Sequence, residues 1–173
     1  MGIVSFIKEA GEKLFGHKDA ESASQQAQAA PDDAALKARA EAANRTAADA
    51  IVTYIGAQNL ARDGDAGRGP VELDGATASV TVSGQAADQA TKEKILLCCG
   101  NVHGVAQVND LMTVAAPADA AQFHTVVRGD TLSAISKKYY GNANLYMRIF
   151  EANQPMLGHP DKIYPGQLLR IPT

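Results

Sequence analysis

The chain has 173 residues, 5% aromatic residues, no tryptophan and a net charge of −3. That length accommodates one or two domains, and the alanine-rich composition predicts small cores. A slightly acidic chain without a basic stripe carrying interleaved aromatics is not a nucleic-acid binder. Charge is divided unevenly. Residues 123–173 hold six Lys and Arg against three acids, a balance of +3, and residues 1–122 carry −6. This division reads first as ordinary surface variation; the sharper alternative is a weak, salt-screened attraction between the two parts. No stretch is apolar enough to span a bilayer. The apolar start, Met1 to Ile7, is interrupted at once by Lys8, Glu9, Glu12 and Lys13, so a secretory leader is not expected. Phe6 stands where a myristoylation signal needs Ser or Thr. The expected location is cytoplasmic.

In chain order, Ile3, Ile7, Ala10 and Leu14 recur at helical spacing and predict an amphipathic helix over residues 2–15, weakened at Gly11 and ended at Gly16. Residues 17–31 lack an apolar period and read as a linker or frayed helix. Asp32 and Asp33 suit the first turn of a helix whose stripe is Leu36, Ala40, Ala43, Ala47, Ile51 and Ile55. Residues 59–69 are turn-rich. Val71 and Leu73 start a strand, Asp74-Gly75 marks a hairpin turn, and Ala78, Val80 and Val82 continue the alternation to Gly84. A helix follows over residues 86–99, with Gly100 as its stop. A third strand covers residues 105–114. Adjacent Cys98 and Cys99 cannot pair without severe strain and read as small core residues.

The strand pair around 71–82, the Gly84 turn, the helix to Gly100 and the Val102-His103-Gly104-Val105 passage together resemble a BON domain, here over residues 32–114. After a linker at 115–122, residues 123–173 are similar to a LysM domain. That match rests on Val126, the Arg128-Gly129-Asp130-Thr131-Leu132 turn, Ile135, Tyr139-Tyr140-Gly141, Asn153 and the closing stretch from Ile163 to Pro172. The fold class expected is α+β: helices on one face of a small three-stranded sheet, then a βααβ module.

Catalytic signatures are missing. His17, His103, His124 and His159 show no metal-binding spacing, and the chain has no CxxC, GxSxG or phosphate-loop pattern. Ser133 and Ser136 read as helix-surface residues. Asp32-Asp33 and Asp63/Asp65 sit on a helix start and a loop, not where an acid/base couple works. Asp63-x-Asp65-x-Gly67 lacks the remaining oxygen ligands of a calcium loop. A binding protein is expected, not an enzyme.

The segment 6–14, the Lys92-Glu93-Lys94 helix, residues 100–105 and residues 129–136 resemble the cytoplasmic BON–LysM potassium-binding proteins. The alanine-rich stretch 17–48 and the loop 59–70 depart from that pattern. The resemblance implies K⁺ held by the backbone carbonyls of Ile7, Ala10, Gly100, Val102 and Val105. Neutral carbonyl dipoles can replace the water shell of a weakly hydrated cation, whereas carboxylates favour divalent ions. In a continuous helix the Ile7 carbonyl would bond the Gly11 N–H, so this site requires the helix to end or loosen at Gly11. The function expected is a K⁺ sensor or buffer in which the ion ties the N-terminal segment to the BON turn and so favours BON–LysM docking; a monomer is expected because no long apolar stripe is left unexplained. The rival is an envelope protein binding peptidoglycan or N-acetylglucosamine. Its LysM groove would be formed by Gly129, Asp130, Thr131, Leu132, Asn153, Ile163 and Pro165. A third reading is a stress-response scaffold whose LysM domain binds another protein.

Overall fold

The computed structural model describes residues 2–7, 11, 13, 14, 16–57 and 71–173. The elements run β1 (Gly2–Ser5), α1 (His17–Ala29), α2 (Ala34–Ala57), β2 (Val71–Asp74), β3 (Ser79–Asp88), α3 (Gln89–Gly100) and β4 (Gln107–Ala116). The C-terminal part follows with β5 (Gln122–Thr125), α4 (Leu132–Tyr140), α5 (Tyr146–Ala152) and β6 (Leu168–Ile171).

The N-terminal segment corrects the expected helix. Gly2–Ser5 is an edge strand, antiparallel to β4 in the register Gly2↔Asp110 to Ser5↔Gln107. A short segment containing two glycines is a marginal helix on its own, whereas the free edge of β4 offers a ladder of unsatisfied backbone groups. Ile3 and Val4 also favour the extended backbone. The sheet therefore has four strands, in the order β1-β4-β3-β2, where three were expected. β3 and β4 run parallel, joined by α3 as a crossover. β3 also continues past Gly84, so α3 starts only at Gln89, where Asp88 accepts the Thr91 N–H at 2.7 Å.

Residues 17–29 form a helix, not a linker. α1 packs antiparallel on α2 through small side chains: Ala20, Ala23 and Ser24 are buried on one helix, Ala40, Ala47 and Ala48 on the other. Ser24 Oγ donates to Asn44 Oδ1 at 3.2 Å across the pair. The same Oδ1 accepts the Gly75 N–H at 3.2 Å, tying the helix pair to the β2–β3 hairpin. Alanine supplies high helix propensity and lets the backbones approach, but it leaves no apolar period to read. Ile51, Ile55, Val80, Val82, Ile95, Val102, Val105 and Val108 fill the core between helices and sheet. Cys98 and Cys99 lie in that core as free thiols, and burial pushes the Cys98 thiol up to about 12. The thiol therefore stays protonated at neutral pH and is no thiolate nucleophile.

The C-terminal module is βααβ. β5 and β6 pair antiparallel, and Val126, Leu132, Ile135, Ile149, Leu157, Leu169 and Ile171 form its own core. The turn-rich loop carrying Asp63 and Asp65 lies outside the described residues.

The α1–α2 contact makes a direct prediction. Ala20 is fully buried, and its carbonyl carbon lies 2.6 Å from where a Gly75 side chain would begin. Ala20→Leu is expected to destabilise the protein by roughly 1–3 kcal/mol in urea unfolding, as an overpacked core does. A linker at this position would show no change.

Candidate functional site

Three stretches of chain meet at the C-terminal end of α3. The helix stops at Gly100, its last carbonyls lack helical partners, and they form the negative end of the helix dipole. The Asn101 N–H donates to the Leu97 carbonyl at 2.9 Å, and the Val105 N–H to the Val102 carbonyl at 3.1 Å. A carbonyl has two lone pairs, so Val102 retains acceptor capacity. The side chains of Val102 and Val105 are fully buried, which anchors the backbone of this turn in the core. Gly104 reverses it at φ 99°.

The N-terminal segment closes over the turn. The Phe6 N–H donates to the Ala106 carbonyl at 2.8 Å. The Phe6 ring lies on Gly100, where a Cβ would come within 2.0 Å of ring carbon. Ile7 follows with its side chain exposed. Gly11 sits at φ 110° on the far side, and a Cβ there would lie 2.3 Å from the Asn101 carbonyl oxygen and 3.0 Å from the His103 nitrogen. Thus Gly100, Val102 and Val105 share one turn, and the segment carrying Ile7 is pressed against it. Ala10 lies outside the described residues. Ile7 follows a strand instead of opening a helix, so the helical bond from its carbonyl to Gly11 is not an obstacle here.

A cleft of about 280 Å³ runs beside the turn, between Lys13, His17, Lys18 and His103. Burial, then the charge of His103, hold the His17 imidazole below its ordinary pKa, against a smaller opposing effect of Glu21. His17 is therefore neutral near pH 7 and adds no charge that would repel a cation. Among the described residues, no three His, Cys, Asp or Glu side chains come together as a metal cluster.

The same helix end holds the C-terminal module. The Asn101 carboxamide closes a two-bond ring with Leu168: Nδ2 donates to the Leu168 carbonyl at 2.9 Å, and Oδ1 accepts its N–H at 2.8 Å. Glu93, 2% exposed, accepts from Arg170 Nε, from Gln89 at 2.8 Å and from the Ala121 N–H at 3.0 Å. Met156 packs into both cores. In the sequence Asn101, Glu93 and Arg170 stand only as parts of matching stretches, with no role of their own. Nothing local to Asn101 signals a partner 67 residues ahead.

In the LysM module, Asp130 accepts the Val127 N–H at 3.0 Å and sits 2.8 Å from His124 Nε2. Thr131 caps α4, accepting the Ala134 N–H at 3.1 Å. Leu132 is buried, and Gly129 at φ 94° has open space on its Cβ side. The Asn153 side chain is committed to the backbone: it donates to Ile149 at 2.7 Å and Arg170 at 2.8 Å, and accepts the Arg170 N–H at 2.8 Å. Ile163, half-buried, and Pro165, exposed, lie in the loop leading to β6.

A βαβ-containing sheet layer followed by a βααβ module is the architecture of a BON domain followed by a LysM domain. A BON domain profile matches residues 48–116 and a LysM domain profile residues 124–172. The chain is 46% identical over 172 residues, 99% of each chain, to potassium binding protein Kbp of Escherichia coli O6:H1, and it belongs to that family. It is also 47% identical over 49 residues to an uncharacterized protein of Deinococcus radiodurans, covering 28% of this chain and 19% of that one. No described helix is long and apolar enough to cross a membrane.

The Val127 N–H, then the hydrogen bond with His124, hold the Asp130 carboxyl below its ordinary range. A depressed pKa contributes stability above the unfolded value of about 3.9 and loses it as pH falls through the folded one. Asp130→Asn should therefore be less stable than the parent at neutral pH. The gap in melting temperature should narrow on acidification below roughly pH 4, measured by calorimetry in matched buffers.

Proposed function

We propose that the protein is a cytoplasmic, monomeric potassium-ion-binding protein, a K⁺ sensor or buffer. The observation that carries this reading is the full-length identity to a protein named for binding potassium. The geometry at the end of α3 is compatible with it. Backbone carbonyls of Ile7, Ala10, Gly100, Val102 and Val105 would form the ion site.

Each part of that cradle has a physical reason to suit K⁺. Its donors are neutral, so a divalent ion gains little from it. The α3 dipole directs negative potential at the site. Gly11 allows backbone to approach backbone at Asn101, while Gly100 and Gly104 leave room for the Phe6 ring and the His17 side chain beside the turn. Binding would hold the Ile7 and Ala10 carbonyls against the turn. Because Asn101 and Glu93 join the same helix to β6, a bound ion would favour the docked LysM module. It can shift that equilibrium only by its differential affinity for the docked and undocked arrangements.

The peptidoglycan reading rests on the LysM match alone, and a pull-down on purified peptidoglycan separates it from the potassium reading. For K⁺ itself, the potassium-stripped chain is titrated calorimetrically with KCl and with NaCl. Heat and compaction with KCl that NaCl does not reproduce are expected; equal or absent responses overturn the reading.

Gly104→Val gives a second test. A β-branched residue at φ 99° is strained by about 1–3 kcal/mol, and its Cβ would sit 3.1 Å from His17 Nδ1. The turn must shift, and K⁺ affinity is expected to fall about ten-fold or more with the circular dichroism spectrum unchanged.

A further inference from the structure

Asn101 stands between two of the proposed carbonyl donors, Gly100 and Val102. Its backbone torsions, φ −81° and ψ 29°, lie outside the α3 helix and set how the peptides on either side are turned. Its carbonyl oxygen is the atom that Gly11 packs against, at 2.3 Å from a notional Gly11 Cβ. Its side chain, on a residue only 4% exposed, is spent on the LysM module. Nδ2 reaches the Leu168 carbonyl at 2.9 Å and Met156 Sδ at 3.3 Å, while Oδ1 takes the Leu168 N–H at 2.8 Å. One residue thus touches the N-terminal segment through its backbone and the C-terminal strand through its carboxamide.

A buried carboxamide needs partners for both ends, and here β6 supplies them. With β6 away, the side chain would turn to water and the torsions of residue 101 would lose their restraint. The Gly100 and Val102 carbonyls, one residue away on each side, would lose their fixed relative orientation.

We infer that Asn101 is a positioning residue. Its two hydrogen bonds to Leu168 make LysM docking set the geometry of the carbonyl cradle, and so the affinity and selectivity for K⁺. The inference rests on the potassium reading and assigns the residue that carries its coupling. Linkage makes the effect reciprocal: whatever docking adds to K⁺ affinity, K⁺ adds to docking.

The test uses the full-length chain in four forms: parent, Asn101→Ala, the pair Glu93→Gln/Arg170→Met, and all three changes combined. The Glu93/Arg170 pair loosens β6 away from the turn and leaves no unpaired buried charge. KCl and NaCl titrations give affinity and K⁺/Na⁺ preference, and small-angle scattering reads docking. Asn101→Ala is expected to weaken K⁺ binding roughly ten-fold, within the usual range of coupling. It should also lower the K⁺/Na⁺ ratio, which a merely destabilised fold would not change. The pair should weaken K⁺ binding although it touches no proposed ligand. The triple variant should be no weaker than the worse of the two, because both act through one docking step. Unchanged K⁺ affinity in Asn101→Ala or in the pair overturns the inference, as does full additivity in the triple variant. Absence of K⁺ binding in the parent sinks the potassium reading itself, a different outcome from parent binding that the variants leave intact.

Discussion

A helix that ends inside a protein must place its last carbonyls somewhere, and the C-terminal end of α3 sets the arrangement of everything around it. The helix stops at Gly100, the chain reverses through Gly104, and buried Val102 and Val105 pin the turn between. Phe6 covers it from one side through the Ala106 carbonyl and the Gly100 surface, and Asn101 clasps Leu168 on the other. Remove this turn, and the N-terminal strand, the BON core and the LysM module lose their common point.

The seam between the modules is small and specific. The opposite charge balance of the two parts suggested a diffuse attraction, but what joins them is a buried Glu93–Arg170 pair beside an amide–backbone ring. Glu93 is almost fully buried and Arg170 largely so, and salt therefore screens the pair less than it screens surface charge. The Glu93 carboxylate also accepts from Gln89 and from the Ala121 N–H, and Asn153 separately ties the Arg170 backbone. A buried pair left half-satisfied would be destabilising, and here the contacts to Gln89 and Ala121 complete the carboxylate's shell.

Legibility in the sequence followed side-chain size. The stripe ending at Ile51 and Ile55, the Val71–Val82 alternation and the LysM pattern were readable because large apolar side chains recur at the period of their element. Helix α1 was not, because its contact surface is alanine and serine, which pack closely without leaving a period. Strand β1 was misread because Ile3, Ile7, Ala10 and Leu14 happen to fit a helical spacing, while the pull of the free β4 edge is not visible in local sequence. The proposed ion donors are carbonyls, which every residue possesses, so only family resemblance could point to them.

By itself the sequence determined the two modules, their order and class, and the placement of glycines at 11, 100 and 104, because hydrophobic period and backbone permissiveness are written residue by residue. Only the tertiary structure decided that residues 2–5 are a strand, that residues 17–29 are a packed helix, and that Asn101 reaches Leu168. Those outcomes depend on which unsatisfied backbone group lies opposite, and that partner stands dozens of residues away along the chain.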